Sequence, residues 1–268
     1  MHSEIQTYTV EIRDKENQVK ESATGEEVFL YYTNSYKQGD RICIKGQLKE
    51  RAEFVWLSFD DAIGKSLVYL TGDVTYMIPF DEKRLNLSPK AFYGENHLIF
   101  LKKAKEFETA SYRNLAVNVC DQHKIKNLYP HASANVETRG EAVFAAQNAI
   151  DGITYNTSHG NWPYGSWGIN QRADATFTLD FGREIKTNCI VLYTRADFPH
   201  DAYWTKGTIT FSDGSSIEVS MEKSTIPHTF QFETKSTNHI ILSNLIKSSD
   251  ESLFPALTQI EVYGFEVI

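Results

Sequence analysis

Apolar and polar residues alternate along much of this chain, the mark of strands with one face buried. Tyr8 to Ile12 reads YTVEI, Glu27 to Tyr32 is a short aromatic run, and GDRICIKGQL at 39–48 alternates again with Ile42 and Ile44 on one side. FVWLSF at 54–59 and SLVYL at 66–70 flank a DDAIGK turn, and VTYMIPF at 74–80 and HLIFLKKA at 97–104 follow. Strand-length runs separated by Gly, Asp, Asn and Pro predict a β-sandwich or barrel. The polar and aromatic stretch DEKRLNLSPKAFYG at 81–94 reads as a loop over one end of it, and Trp56 within FVWLSF reads as core.

The rhythm breaks at 112–135, where neither alternation nor a helical stripe is visible, yet Leu115, Val117, Leu128 and Tyr129 make the segment too apolar for a free linker. EAVFAAQNAIDG at 141–152 has the spacing of a helical turn or two, stopped by Gly152. Strand patterns then resume at 175–181, 188–194, 207–213, 216–221, 228–234, 239–245 and 257–268, with SDGS between the third and fourth as a hairpin signal. The expected fold is all-β, with two β-sandwich domains in tandem: residues 1–118, an ordered connection at 119–130, and a second sandwich at 131–268.

Composition narrows the function. The net charge of −8 argues against a nucleic-acid backbone or an anionic membrane as the main partner. Cys43, Cys120 and Cys189 are odd in number and contain no CxxC pair, so neither a zinc site nor a disulfide framework is expected. The opening MHSEIQTYTV lacks the apolar core of a signal peptide, and no run approaches the ~20 apolar residues of a membrane span, so the expectation is a cytoplasmic protein.

The densest chemistry lies in RADFPHDAYW, residues 195–204, which offers a guanidinium, an imidazole, two carboxylates, a phenol and an indole. A second concentration is HGNWPYGSW at 159–167, and three of the four tryptophans of the chain fall within these two segments. Arg195 has the fork geometry for adjacent hydroxyls or a carboxylate. His159 and His200 can each donate and accept, Asp197 and Asp201 accept, and Trp162, Trp167 and Trp204 are aromatic platforms. The same residues also read as packing: Arg195 paired with Asp201, Trp204 plugging the core, Trp167 under its loop.

With NAIDG at 148–152, TFTLDFG at 176–182, IVLYTRADFPHDAYW at 190–204, ITFSDGS at 209–215 and the closing ALTQIEVYG at 256–264, residues from about 131 to 264 resemble the discoidin or coagulation-factor C-domain fold, which includes the family 32 carbohydrate-binding modules. The resemblance implies an eight-stranded antiparallel jelly-roll of the galactose-binding type, with ligands on loops at one end; residues 1–118 show no such motif. It also implies a structural Ca²⁺ beneath the A-I-D-G turn. Asp151 matches the family's side-chain ligand, Thr157 the downstream hydroxyl, and Gln259 stands where the family has Glu, one negative charge short. Otherwise Asp151 caps the turn by hydrogen bonds to backbone amides.

The reading that follows is a non-catalytic protein binding a carbohydrate or sugar-like ligand through loops 156–167 and 195–204. No G-x-S-x-G elbow, P-loop or H-E-x-x-H occurs. One alternative is an enzyme acting on glycosides or sugar derivatives, with a cleft site built from His123, His131, Asp60 and Asp61 beside the second domain's loops. Another is a structural or assembly module whose 159–204 aromatics are buried in a homodimer.

Overall fold

The computed structural model describes residues 7–46, 52–156, 160–196 and 202–267. The alternating runs form antiparallel strands in two facing sheets: β2 (Val19–Gly25), β1 (Tyr8–Arg13), β4 (Arg41–Gly46) and β7 (Val74–Met77) in that order, and β10 (Leu128–Tyr129), β6 (Ser66–Leu70), β5 (Glu53–Ser58), β8 (His97–Lys103) and β3 (Glu27–Tyr32). Their inward residues, among them Tyr8, Val10, Ile12, Ile42, Ile44, Val55 and Leu57, make one buried cluster. Side chains alternate across a strand, so one face of each sheet supplies the core. β2 is absent from the sequence-based reading because VKESATG pairs only with β1, at a sheet edge, and has no buried position.

The second sandwich is a single hydrogen-bonded ladder folded over its own core. Its path runs β12 (Trp167–Gly168), β17 (Ala256–Glu266), β13 (Phe177–Thr194), β16 (His228–Lys247), β14 (Trp204–Phe211) and β15 (Ser216–Ser220), with β11 (His131–Ala134) on β13 and β9 (Arg113–Asn114) on β17. Seven expected strands become five here, because 175–181 joins 188–194 and 228–234 joins 239–245. The β13–β16 pairing slips between Asp180 and Ile185 instead of ending in a turn. Gly182, at φ +65°, makes that irregularity, and a Cβ there would lie 2.4 Å from the ring of Tyr129. Phe177, Leu179, Phe181, Ile190, Leu192, Ile240, Ile260 and Val262 fill the space between the layers. Short 3₁₀ turns at Ala142–Phe144 and Ala146–Ile150 occupy the expected helical stretch, and Gly152 follows at φ +82°. Among the described residues no helix is long and apolar enough to cross a membrane.

The chain crosses between the two cores more than once. Leu115 and Ala116 pack in the second core, where β9 pairs with β17. Cys120, Ile125 and Leu128 then return to the first core, and β10 joins its sheet beside β6. At His131 the chain enters the second sandwich again. Arg113 and Arg183 both donate to Oε1 of Glu266 at 2.6 Å, and their guanidinium groups lie 5.9 and 4.7 Å from the ring centre of Phe54 in the first sandwich.

Candidate functional site

At one end of the second sandwich, β17 begins between β12 and the end of β13. Ala256 is in register with Gly168, and its carbonyl accepts from the amide of Arg195 at 3.0 Å. The 138–144 turns lie across this end: Oγ1 of Thr138 accepts from the amide of Asn170 at 2.9 Å, and the carbonyl of Val143 accepts from Ser166 at 3.0 Å. Gly168 permits the closeness, since a Cβ there would stand 2.6 Å from Oγ1 of Thr138. The walls enclose a cavity of about 200 Å³ whose lining includes Thr138, Arg139, Phe144, Arg195, Phe254 and Pro255.

Two guanidinium groups and two aromatic rings form a chain of contacts at this end, of which Arg139, Phe144 and Arg195 line the cavity. Arg139 lies 5.4 Å from the ring centre of Phe144, Phe144 meets Tyr164 edge-on at 5.8 Å, and Arg195 lies 4.7 Å from the ring centre of Tyr164. Such cation–π contacts strengthen on desolvation, and Phe144, Tyr164 and Arg195 are all buried. Arg195 is only 2% exposed, and Nη1 donates to the carbonyl of Tyr164 at 3.3 Å. Phe254, by contrast, keeps 38% of its surface in solvent.

The expected ligand residues separate into three groups. Arg195 lines the cavity and touches the 160–167 segment through Tyr164, so these two stretches meet. Trp162 is exposed, on a cis peptide bond to Pro163. Trp167 and Trp204, expected as platforms, are fully buried with ring centres 6.2 Å apart, and Nε1 of Trp167 donates to the carbonyl of Val136. The core needs their volume at the end of the sandwich, and neither ring faces outward. His159, Asp197, His200 and Asp201 lie outside the described residues, as does Thr157 of the expected metal set.

The remaining metal-set residues have the chemistry of a hard-cation site. Burial pushes the Asp151 carboxyl up to about 8, although Oδ1 accepts from the amide of Ile153 at 2.7 Å. Gln259 is fully buried with neither Oε1 nor Nε2 hydrogen-bonded, and Oδ1 of Asn156 is buried without a partner. Asn156 bonds Thr258, next to Gln259, and the 146–150 turn preceding Asp151 packs on β17. Orphaned amide oxygens and a buried carboxyl are the donor types that a cation preferring six to eight hard oxygens takes. Among the described residues no three His, Cys, Asp or Glu side chains gather to hold a metal.

The residues of the alternative cleft are each held by a different partner. Oδ2 of Asp60 accepts from His97 at 2.9 Å and from the amide of Phe92 at 3.1 Å, within the first core. Oδ1 of Asp61 accepts from Leu98 at 3.4 Å, His123 pairs with Glu137 at 3.1 Å, and His131 pairs with Asp121 at 2.7 Å. Thr138, Arg139, Phe144, Phe254 and Pro255 were missed by sequence reasoning. The one signal for them was an aromatic beside proline, SLFPA, breaking the polar stretch before the last strand.

The chain is similar to a chitosan-binding module of a chitosanase/glucanase from Paenibacillus sp. IK-5, at 19% identity over 57% of this chain and 100% of that one, with a TM-score of 0.39. It is also similar to the family 32 carbohydrate-binding module of NanJ from C. perfringens, solved with galactose, at 20% identity over 49% of this chain and 91% of that one, with a TM-score of 0.39. A Streptococcus pneumoniae fucose-binding module is similar at 13% identity over 60% of this chain and 99% of that one, with a TM-score of 0.41. No curated protein matches the chain. One family profile, described as "Domain of unknown function (DUF7402)", matches residues 127–263.

Proposed function

The chain belongs to that family, and we propose that it is a non-catalytic carbohydrate-binding protein whose ligand occupies the cavity beside Arg195, framed by loops 156–167 and 195–204. The observation that carries this reading is Arg195 itself: a nearly fully buried guanidinium held by Tyr164, lining a cavity of about 200 Å³ beside the exposed ring of Phe254. Sugar recognition needs both elements. A planar fork orients adjacent hydroxyls, and an aromatic face covers the C–H side of the ring. Small-ligand sites combine apolar walls with a few convergent polar groups, and Phe144, Pro255 and Ala256 supply such walls. Of the similar modules, one is chitosan-binding, one was solved with galactose and one is fucose-binding.

Two further parts of the proposal concern stability. The sandwiches expected at 1–118 and 131–268 act as two domains that share the segment 113–131, with 113–116 completing the second core and 119–129 the first. Asp151, Thr157 and Gln259 hold a structural Ca²⁺ that neutralises the isolated carboxyl and takes up the orphaned amide oxygen.

The test is a glycan array followed by titration calorimetry on wild type, Arg195→Lys and Phe254→Ala, each checked for folding by circular dichroism. A sugar bound by wild type should lose about tenfold or more in affinity in each variant, since each removes an interaction worth a hydrogen bond or a stacking contact. No binding across a broad panel, or binding indifferent to both substitutions, would overturn the proposal.

A further inference from the structure

We infer that β3 is a docking strand for a second copy of this chain, the two strands pairing antiparallel about a two-fold axis at Leu30. Strand edges present unpaired N–H and C=O groups, and proteins block them with charge, irregular register, covering side chains or shortness. The first sandwich has four sheet edges, β2, β7, β10 and β3, and three are blocked in these ways. β2 carries Lys20 and Glu21, and its register on β1 slips between Ile12 and Arg13. The end of β7 is plugged by Gln122, whose Oε1 accepts from the amide of Met77 at 3.0 Å while Nε2 donates to its carbonyl at 2.9 Å. β10 is two residues long. β3 has none of these devices. It runs for six residues, pairs with β8 without a register shift from Glu27 to Tyr32, and has Glu27 as its one charge. Among the described residues no hydrogen bond outside that ladder reaches its backbone. Its outward rings, Phe29 and Tyr31, are each 58% exposed, with Phe100 and Leu98 opposite them on β8. Elsewhere the same sheet face is covered: Arg113 and Arg183 lie over Phe54, and Arg183 lies over Tyr69.

The residues of the strand select a second copy as its occupant. Pairing about Leu30 sets Phe29 opposite the second copy's Tyr31 and Val28 opposite its Tyr32, so aromatic meets aromatic on the open face and apolar meets apolar within. Glu27 falls opposite Thr33 and not opposite its own counterpart. That placement matters for a chain of net charge −8, because two copies repel and make contact where charge is least. One patch then serves both copies, as a two-fold interface requires. At about 150–250 Å² per aromatic side chain, the exposed parts of Phe29 and Tyr31 offer roughly 400–500 Å² over two copies. A standard interface buries about 1,200 Å² or more, so the pair is weak and dissociates in the micromolar range.

The experiment is sedimentation velocity of the full chain from about 1 to about 200 µM, with amide hydrogen exchange read at both ends of that range. The expected result is a shift from monomer to dimer, with slower exchange at residues 27–32 in the dimer. Phe29→Lys and Tyr31→Lys, each at an exposed position and checked for folding by circular dichroism, should weaken association about tenfold or more. Ile246→Lys, which changes an exposed apolar residue of the second sandwich, should leave association unchanged. A chain that stays monomeric at the highest concentration overturns the second-copy assignment, whatever other strand β3 captures. A dimer indifferent to both β3 substitutions, or lost equally in Ile246→Lys, overturns the choice of surface. A dimer whose 27–32 amides exchange as fast as the monomer's overturns the strand pairing.

Discussion

Asn86 of the first sandwich donates its side-chain amide to Oδ1 of Asn148 in the second, at 2.9 Å and out of reach of solvent. Nδ2 of Asn148 in turn donates to the carbonyls of Ala142 and Ser166, at 2.8 and 3.4 Å. Those carbonyls belong to the two segments that lead into the cavity walls. One amide in the first sandwich thus helps to set the segments that wall the cavity in the second. Asn86→Ala leaves a buried acceptor unsatisfied and should cost about 1–3 kcal/mol. Thermal denaturation of the variant should show the loss, and calorimetry should show weakened binding of whatever sugar the wild type takes.

Asp151 makes stability depend on pH. Its carboxyl is pushed up to about 8 by burial, against an ordinary value near 3.8. The folded state therefore keeps a proton that the unfolded chain releases above pH ~4, so the contribution falls as pH rises from about 4 to 8 and levels off beyond. Without divalent cations, Tm should decline across this range, and Asp151→Asn should flatten the decline. Millimolar Ca²⁺ should raise Tm most at the alkaline end, where the carboxylate is exposed to binding. A calcium effect that survives in Asp151→Asn would place the cation elsewhere.

The two buried indoles should respond differently to the same substitution. Nε1 of Trp167 donates to Val136 at 2.9 Å, whereas Nε1 of Trp204 is buried without a partner. Trp167→Phe leaves a carbonyl unsatisfied as well as a void. Trp204→Phe leaves a void but removes an unsatisfied donor. Denaturant unfolding should find the first more destabilising, by about 1–3 kcal/mol.

Thiol chemistry distinguishes the cysteines. All three are free. Cys120 is fully buried with its thiol pushed up to about 12, so it has almost no thiolate at neutral pH. Cys189 is partly exposed, with its thiol raised less by burial. Alkylation read by mass spectrometry should label Cys189 slowly in the native protein and Cys120 only after unfolding.

Strand positions were largely legible because alternation reports burial directly, as at Val10, Ile12, Ile42 and Ile44. It fails where burial does not alternate. β2 sits at an edge with no fully buried position and only Ala23 packed against the core, and the polar run GREIKTN hid the continuity of β13 through its irregularity at Gly182. At the candidate site, Arg195 stood out because it opens RADFPHDAYW, the segment densest in polar and aromatic groups. The indoles of Trp167 and Trp204 misled because a tryptophan serves equally as core filler and as platform, and sequence carries no sign of which way it points. Arg139 and Phe254 were invisible for another reason. Each is one residue from a distant segment, and only the closure of β17 between β12 and β13 brings them together.

The repeated crossing between cores at 113–131 bears on inheritance. Because 113–116 completes the second core and 119–129 completes the first, no single junction releases either sandwich intact. A fusion point at 118 would strip β10 from one partner and β9 from the other. A chain divided anywhere from 117 to 127 would leave both cores incomplete, so the two sandwiches are expected to be inherited together.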